Sequence, residues 1–255
     1  QRLYHVSHDV KTALKKTLLP GSSMFESMGF TYMGPVDGHD EAALEQSLQW
    51  AKEQRCPVLL HVRTVKGRGY APAEERPADY HGVPPFAPDT GKPLRPTGPD
   101  FSHVFGAELT ALAGEDERVC AITAAMQEGT GLTEFAKAYP RRFFDVGIAE
   151  GHAVSMAGGM AKQGLVPVFA VYSSFLQRGY DQLMQDVALD GLHVVLGVDR
   201  AGLVGADGET HHGCFDALYL AQVPHMTVLC PASFAELRQM LRRAVLELTG
   251  PVAVR

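Results

Sequence analysis

The stretch FFDVGIAEGHAVSMAGGMA, Phe143–Ala161, decides how this sequence is read. An apolar strand pattern runs up to a carboxylate, Glu150, which stands where a helix of small residues begins. Open α/β sheets keep their ligand crevice at the carboxyl ends of the strands, so Glu150 is expected there, buried and ready for proton chemistry. A second stretch, VDRAGLVGADGETHHGCFD (Val198–Asp216), follows the apolar run Leu192–Val198. It opens into a glycine-rich loop carrying Arg200, Asp207, His211 and His212. Two strand ends that both deliver ionisable groups point to an active site rather than to a packing device.

Strands and helices alternate around these stretches. The pattern predicts helix Phe101–Ala113, strand Val119–Thr123, helix Leu132–Ala138, strand Arg142–Val146 and helix Gly151–Lys162. Strand Val166–Val171, helix Phe175–Val187, strand His193–Val198, strand Met226–Cys230 and helix Ser233–Glu247 follow. Such an alternation is that of an α/β fold, a mostly parallel sheet with helices on both faces.

Upstream, a short polar helix is expected between Gln1 and Pro20, then a Gly/Ser break and a strand, Phe30–Met33, that enters GPVDGHD (Gly34–Asp40). Asp40 is placed to cap a helix, Glu41–Gln54, with Ala42, Leu44, Leu48 and Ala51 at helical spacing. Strand Val58–Thr64 and the loop VKGRGYAPAE (Val65–Glu74) complete a βαβ pattern. Between Arg76 and Pro99 the sequence is rich in proline and has no period, as an extended linker would be. The expected divisions are therefore 1–75, 76–99 and 100–255.

Composition excludes several classes of partner. A net charge of −6 and a pI near 6.0 give no electrostatic case for nucleic acid or an anionic membrane. There is no apolar run of membrane-spanning length. Cys56, Cys120, Cys214 and Cys230 are far apart, so neither a disulfide framework nor a zinc site is expected; free thiols in a reducing cytoplasm are the simplest reading. The sequence does not begin with Met and stops at PVAVR, so it reads as a piece of something longer.

GPVDGHD, KGRGY with a following YHG, DVGIAEGHA, YSSFLQRGYDQ and DRAGLVGADGETHHGCFD occur in this order. Together they resemble the 1-deoxy-D-xylulose-5-phosphate synthase family, thiamine-diphosphate enzymes of the transketolase-like group. The resemblance covers nearly the whole chain. It implies two thiamine-diphosphate-fold domains: residues 1–75 would be the rear of the diphosphate-binding domain and residues 100–255 the pyrimidine-binding domain. The implied reaction condenses pyruvate with glyceraldehyde 3-phosphate and releases carbon dioxide, in a cytoplasmic homodimer. The product leads to isoprenoids and to thiamine.

What the resemblance implies falls residue by residue. Glu150 would hydrogen-bond the cofactor's pyrimidine ring and help it act as a base. Without the resemblance, Glu150 serves equally well as a carboxylate at a helix N-terminus, worth about 0.3–1 kcal/mol. Phe175 would stack on the aminopyrimidine, with Tyr172 and Arg178 close to substrate. The blander reading makes Phe175 and Tyr180 core aromatics and Arg178 a solvated charge. Arg200 would bind the acceptor's phosphate, and Asp207 and His211 would contact substrate hydroxyls or assist proton transfer. A glycine-rich surface loop is the alternative for all three. His81 matches an active-site histidine and Tyr70 a cofactor-contacting position, with Lys66 and Arg68 ordering the same loop. His39 and Asp37 are expected to lock a turn.

Two residues depart from the family pattern. Gly151 replaces the usual Gln, and His212 stands where Gln or Asn is usual. The GDG…N run that holds magnesium in such enzymes does not occur here, so the metal's ligands are expected upstream of Gln1 and none within the sequence. Two other readings remain: another transketolase-like enzyme, such as transketolase or the β component of a 2-oxo acid dehydrogenase, and a non-catalytic module derived from one.

Overall fold

The computed structural model describes residues 22–94, 98–205 and 207–255. The chain divides into two compact units, Gln1–Pro96 and Thr97–Arg255. The helix expected before Pro20 lies outside the described residues.

In the first unit the described elements are α1 (Ser22–Ser27), β1 (Thr31–Asp37), α2 (Glu41–Glu53), β2 (Val58–Arg63) and α3 (Ala71–Glu75). Helix α1 stands where the sequence suggested a break. Strands β1 and β2 pair in parallel, Thr31 opposite Val58 and Asp37 opposite Arg63. The Asp40 carboxylate caps α2 by accepting from the Ala43 N–H at 3.0 Å.

The proline-rich segment is not an extended linker over its described part. Phe86 bridges to Pro93, the Tyr80 hydroxyl donates to the Gly91 carbonyl, and the Tyr70 hydroxyl donates to the Pro88 carbonyl. The rings of Tyr70, Tyr80 and Phe86 lie 5.4–5.9 Å apart. Composition signalled an extended linker, but three aromatics fold it back onto the unit.

The second unit contains α4 (Phe101–Glu115), β3 (Val119–Thr123), α5 (Thr133–Ala138), β4 (Phe143–Asp145), α6 (Glu150–Lys162) and β5 (Val166–Tyr172). A broken helical run follows: α7 (Ser173–Leu176), a 3₁₀ turn (Gln177–Gly179), α8 (Tyr180–Gln182) and a π turn (Leu183–Ala188). Then come β6 (Val195–Asp199), a 3₁₀ turn (Glu209–His211), α9 (Asp216–Leu220), β7 (Thr227–Leu229), α10 (Phe234–Leu246) and β8 (Val252–Val254).

The sheet has six strands in the order β4-β3-β5-β6-β8-β7, all parallel. Period-two alternation sorts its side chains onto two faces. Val119, Ala121, Val168, Ala170 and Val252 pack against α4, α5 and α10. Ile122, Phe169, Val171, Leu196 and Ala253 pack against α6, the 173–188 run and α9. Both faces are covered, so the strands read as continuous apolar runs, and every position of β3 is buried.

From β3 the chain moves outward to β4 with α5 on one face, then returns to β5 with α6 on the other. That reversal is a topological switch point, and open α/β sheets place their ligand crevice at such a point, here the carboxyl ends of β3 and β5.

Candidate active site

The second unit's candidate residues come from strand ends, helix starts and the turns and loops that follow the strands, and they form one chain of contacts. Glu150 is the first residue of α6 and only 3% exposed. Its Oε1 accepts from Arg178 Nη1 at 2.7 Å; among the described residues none bonds Oε2. The Arg178 guanidinium lies 5.1 Å from the centre of the Phe175 ring. Phe175 stacks on Tyr172, centroids 5.7 Å apart at 20°. His211 meets both rings edge-on, at 5.3 Å from Phe175 and 6.3 Å from Tyr172. The Arg200 guanidinium lies 4.4 Å over the Tyr172 ring, and its Nε reaches Asp207 at 3.4 Å.

Burial decides what these pairs mean. Glu150 is buried and its one ion-pair partner among the described residues is Arg178, whereas the arginine is half-exposed and open to solvent. Arg200 is the reverse case, a cation held inside. Burial works against its charge, but Asp199, Tyr172 and Asp207 together outweigh burial and set the guanidinium above its usual value. Burial also raises the Tyr172 phenol, with Arg200 pulling the other way.

Gly129 lets these groups come together. A Cβ there would lie 1.8 Å from the Tyr172 hydroxyl oxygen, and the Gly129 carbonyl accepts from Arg200 Nη1 at 2.6 Å. At Gly151, an added Cβ would sit 3.2 Å from Gln182 Oε1, so Gln182 already fills the space a side chain would use. His212 Nδ1 accepts from the Val204 N–H at 3.0 Å and closes its own loop.

Sequence reasoning missed Asp199, Ser102 and Gly129. Asp199 adjoins Arg200 and was open to notice as a carboxylate at a strand end; Ser102, 97 residues from Asp199, left no sequence signal. A cavity of about 320 Å³ adjoins this network at Asp199 and Arg200, lined also by Phe101, Thr130, Cys230 and Arg255 among others. Glu150 and Phe175 are not in its lining.

In the first unit, His81 is exposed and its Nδ1 faces Lys66 Nζ at 3.0 Å. Tyr70 is packed in the aromatic cluster with its hydroxyl committed to Pro88. His39 does lock a turn: its N–H donates to Asp37 Oδ1 at 2.9 Å and its Nε2 accepts from the Val65 N–H at 2.7 Å. Among the described residues no cluster of His, Cys, Asp or Glu is placed to hold a metal ion. No described helix is long and apolar enough to cross a membrane.

Residues 97–255 match the family model for the transketolase pyrimidine-binding domain, and residues 1–64 that for 1-deoxy-D-xylulose-5-phosphate synthase. The chain is 52% identical to 1-deoxy-D-xylulose-5-phosphate synthase 1 of Geobacter metallireducens over 98% of its length. It is 51% identical to the synthase of Pelotomaculum thermopropionicum over 99% of its length. In both cases it spans 40% of the relative. Among solved structures, a split-gene transketolase described as an inactive β4 tetramer superposes with TM-score 0.55 and 28% identity, over 62% of this chain and 51% of that one. Transketolase from Leishmania mexicana superposes at 0.54 with 16% identity, over 63% of this chain and 26% of that one, a likeness of fold. The chain thus belongs to the family of transketolase-type pyrimidine-binding domains, and the relatives that match it from end to end are 1-deoxy-D-xylulose-5-phosphate synthases.

Proposed function

We propose that this chain carries the pyrimidine-activating part of a 1-deoxy-D-xylulose-5-phosphate synthase. That enzyme joins pyruvate to glyceraldehyde 3-phosphate with loss of carbon dioxide, in a cytoplasmic homodimer. Its product would serve isoprenoid and thiamine synthesis. The observation that carries the reading is the run of contacts from the buried Glu150 carboxylate through Arg178 to the stacked Phe175 and Tyr172 rings.

The donor set fits thiamine diphosphate's pyrimidine. A desolvated carboxylate with an uncommitted oxygen suits a ring nitrogen, and an aromatic wall suits the ring face. When bound, the cofactor supplies the electron sink that lets an acyl carbon act as a nucleophile. Glu150 would hold a proton against the pyrimidine nitrogen, with Arg178 orienting the carboxylate through its hydrogen bond to Oε1. Phe175 and Tyr172 would orient the ring and exclude water. His211, edge-on to both rings, suits a proton donor or acceptor near substrate oxygens. Arg178 and Arg200 are the cations suited to the aldehyde's phosphate, with Asp207 toward its hydroxyls. His81 and Tyr70 are proposed to act at the pyruvate-derived group and the cofactor respectively. Magnesium and the diphosphate need hard oxygen ligands that the sequence does not provide as GDG…N.

This chain alone is therefore proposed to be inactive, as the β4 tetramer of the split-gene transketolase is. The test is turnover by the isolated chain and by a full-length protein carrying it. The full-length protein should make the product from pyruvate, and the isolated chain should not. Product from a ketose phosphate in place of pyruvate would indicate transketolase instead. In the full-length protein, Arg200→Ala should chiefly raise KM for the aldehyde.

A further inference from the structure

We propose that Asp199 and Ser102 are positioning residues that fix the Arg200 guanidinium and leave one edge of it, Nη2, for the phosphate of the aldehyde. The proposal rests on the functional reading above. Asp199 Oδ1 accepts from the Arg200 backbone N–H at 2.7 Å and from its Nη1 at 3.1 Å. Asp199 Oδ2 accepts from the Ser102 hydroxyl at 2.6 Å, and the same hydroxyl oxygen accepts from Nη1 at 3.2 Å. With the Gly129 carbonyl at 2.6 Å, three acceptors converge on Nη1. The Tyr172 ring covers one face, and Nε makes only the long contact to Asp207. Among the described residues Nη2 has no partner.

Asp199 also supports the backbone. Arg200 has φ 54, a left-handed conformation that residues with a Cβ rarely adopt. Such a conformation persists where its surroundings over-determine it, and the bond from Asp199 to the Arg200 N–H is one of those constraints. The Asp199 and Arg200 side chains are 17% and 25% exposed, so solvent screens this pair little. Asp207 is more exposed and farther away, which makes it the weaker constraint.

The test is the KM for glyceraldehyde 3-phosphate against that for unphosphorylated glyceraldehyde, measured with pyruvate in a full-length protein carrying this chain. Asp199→Asn keeps the shape and removes the charge. It should raise the KM of the phosphorylated aldehyde roughly tenfold, more than it changes kcat, and leave the KM of glyceraldehyde unmoved. Ser102→Ala should give a smaller rise in the same direction and stands in if Asp199→Asn does not fold. Either change made on an Arg200→Ala background should add nothing, since all three act as a unit. An unshifted ratio in both variants, or an equal rise for both aldehydes, overturns the proposal and leaves the functional reading intact. No turnover of pyruvate and glyceraldehyde 3-phosphate by the unmodified protein overturns both.

Discussion

The two units of this chain solve the same local problem at different depths. In the second unit, β3 is buried at every position and β5 at all but its last, and the loops at their ends hold their ionisable groups within hydrogen-bond reach. Among the described residues of the first unit, β1 and β2 form a two-stranded sheet with no fully buried position. The candidates beside it are set by local contacts, Lys66 against His81 and Tyr70 against its aromatic neighbours. A parallel sheet positions side chains well when both faces are covered, because packing then fixes where each strand ends. The difference teaches that Glu150 and Arg200 owe their geometry to a core, whereas His81 owes its geometry to a few surface contacts.

The strongest way to break this contrast is Glu150→Ala in a full-length protein carrying this chain. Loss of turnover by at least about a hundredfold is expected in steady-state assays, the scale of a positioned proton-transfer group. Activity within a few-fold of the unmodified protein would remove Glu150 from the chemistry. Next in size is Phe135→Ala, at a side chain with no exposure. It should cost about 3–5 kcal/mol in denaturant unfolding, while Leu48→Ala in the first unit, 53% exposed, should stay within about 0.5 kcal/mol. Equal costs would mean that the two units are packed alike.

A smaller effect is expected at Asp100, which caps α4 by accepting from the His103 N–H at 2.8 Å. Burial alone would raise its carboxyl, but the hydrogen bonds from the His103 backbone and ring outweigh that and hold it below its usual value. The stabilisation is therefore present above the unfolded value, about 3.9, and is lost as pH falls through the folded one. Asp100→Ala should cost about 1 kcal/mol at neutral pH and less in acid, read by thermal unfolding as a function of pH. An effect that grows in acid would contradict the cap. The smallest expected difference is in thiol reactivity. Burial pushes Cys120 up to about 11, while Cys56, Cys214 and Cys230 are exposed. A disulfide reagent should modify those three in the native chain and Cys120 only on unfolding; prompt reaction of Cys120 would show that the core of the second unit opens readily.

Much of this organisation was legible because continuous apolar runs stand out where burial is complete. Val119–Thr123 was located to the residue, and Glu150 stood out because a carboxylate ends an otherwise apolar passage. The run 173–188 shows the limit. Its apolar spacing signals one helix, yet it breaks into α, 3₁₀ and π turns, which hydrophobic pattern does not encode. The short helix Asp216–Leu220 escaped for lack of length, and Ala71–Glu75, five residues with Pro72 in its first turn, reads as part of a loop. At the site, Ser102 and Asp199 meet only because α4 and β6 pack on each other's ends. Contacts between distant segments are a property of topology, and a single sequence states topology only in outline.

The left-handed backbone at Arg200 has a consequence for directed evolution. Position 200 is asked for two incompatible things, since backbone geometry favours glycine or asparagine there and the surrounding acceptors favour a guanidinium. A saturation library at this position, sorted for soluble expression, would drift toward glycine and asparagine. The same library, carried in a full-length protein and sorted for turnover, is expected to return arginine. The distance between the two winners would measure how much foldability is surrendered at one residue for the proposed phosphate contact.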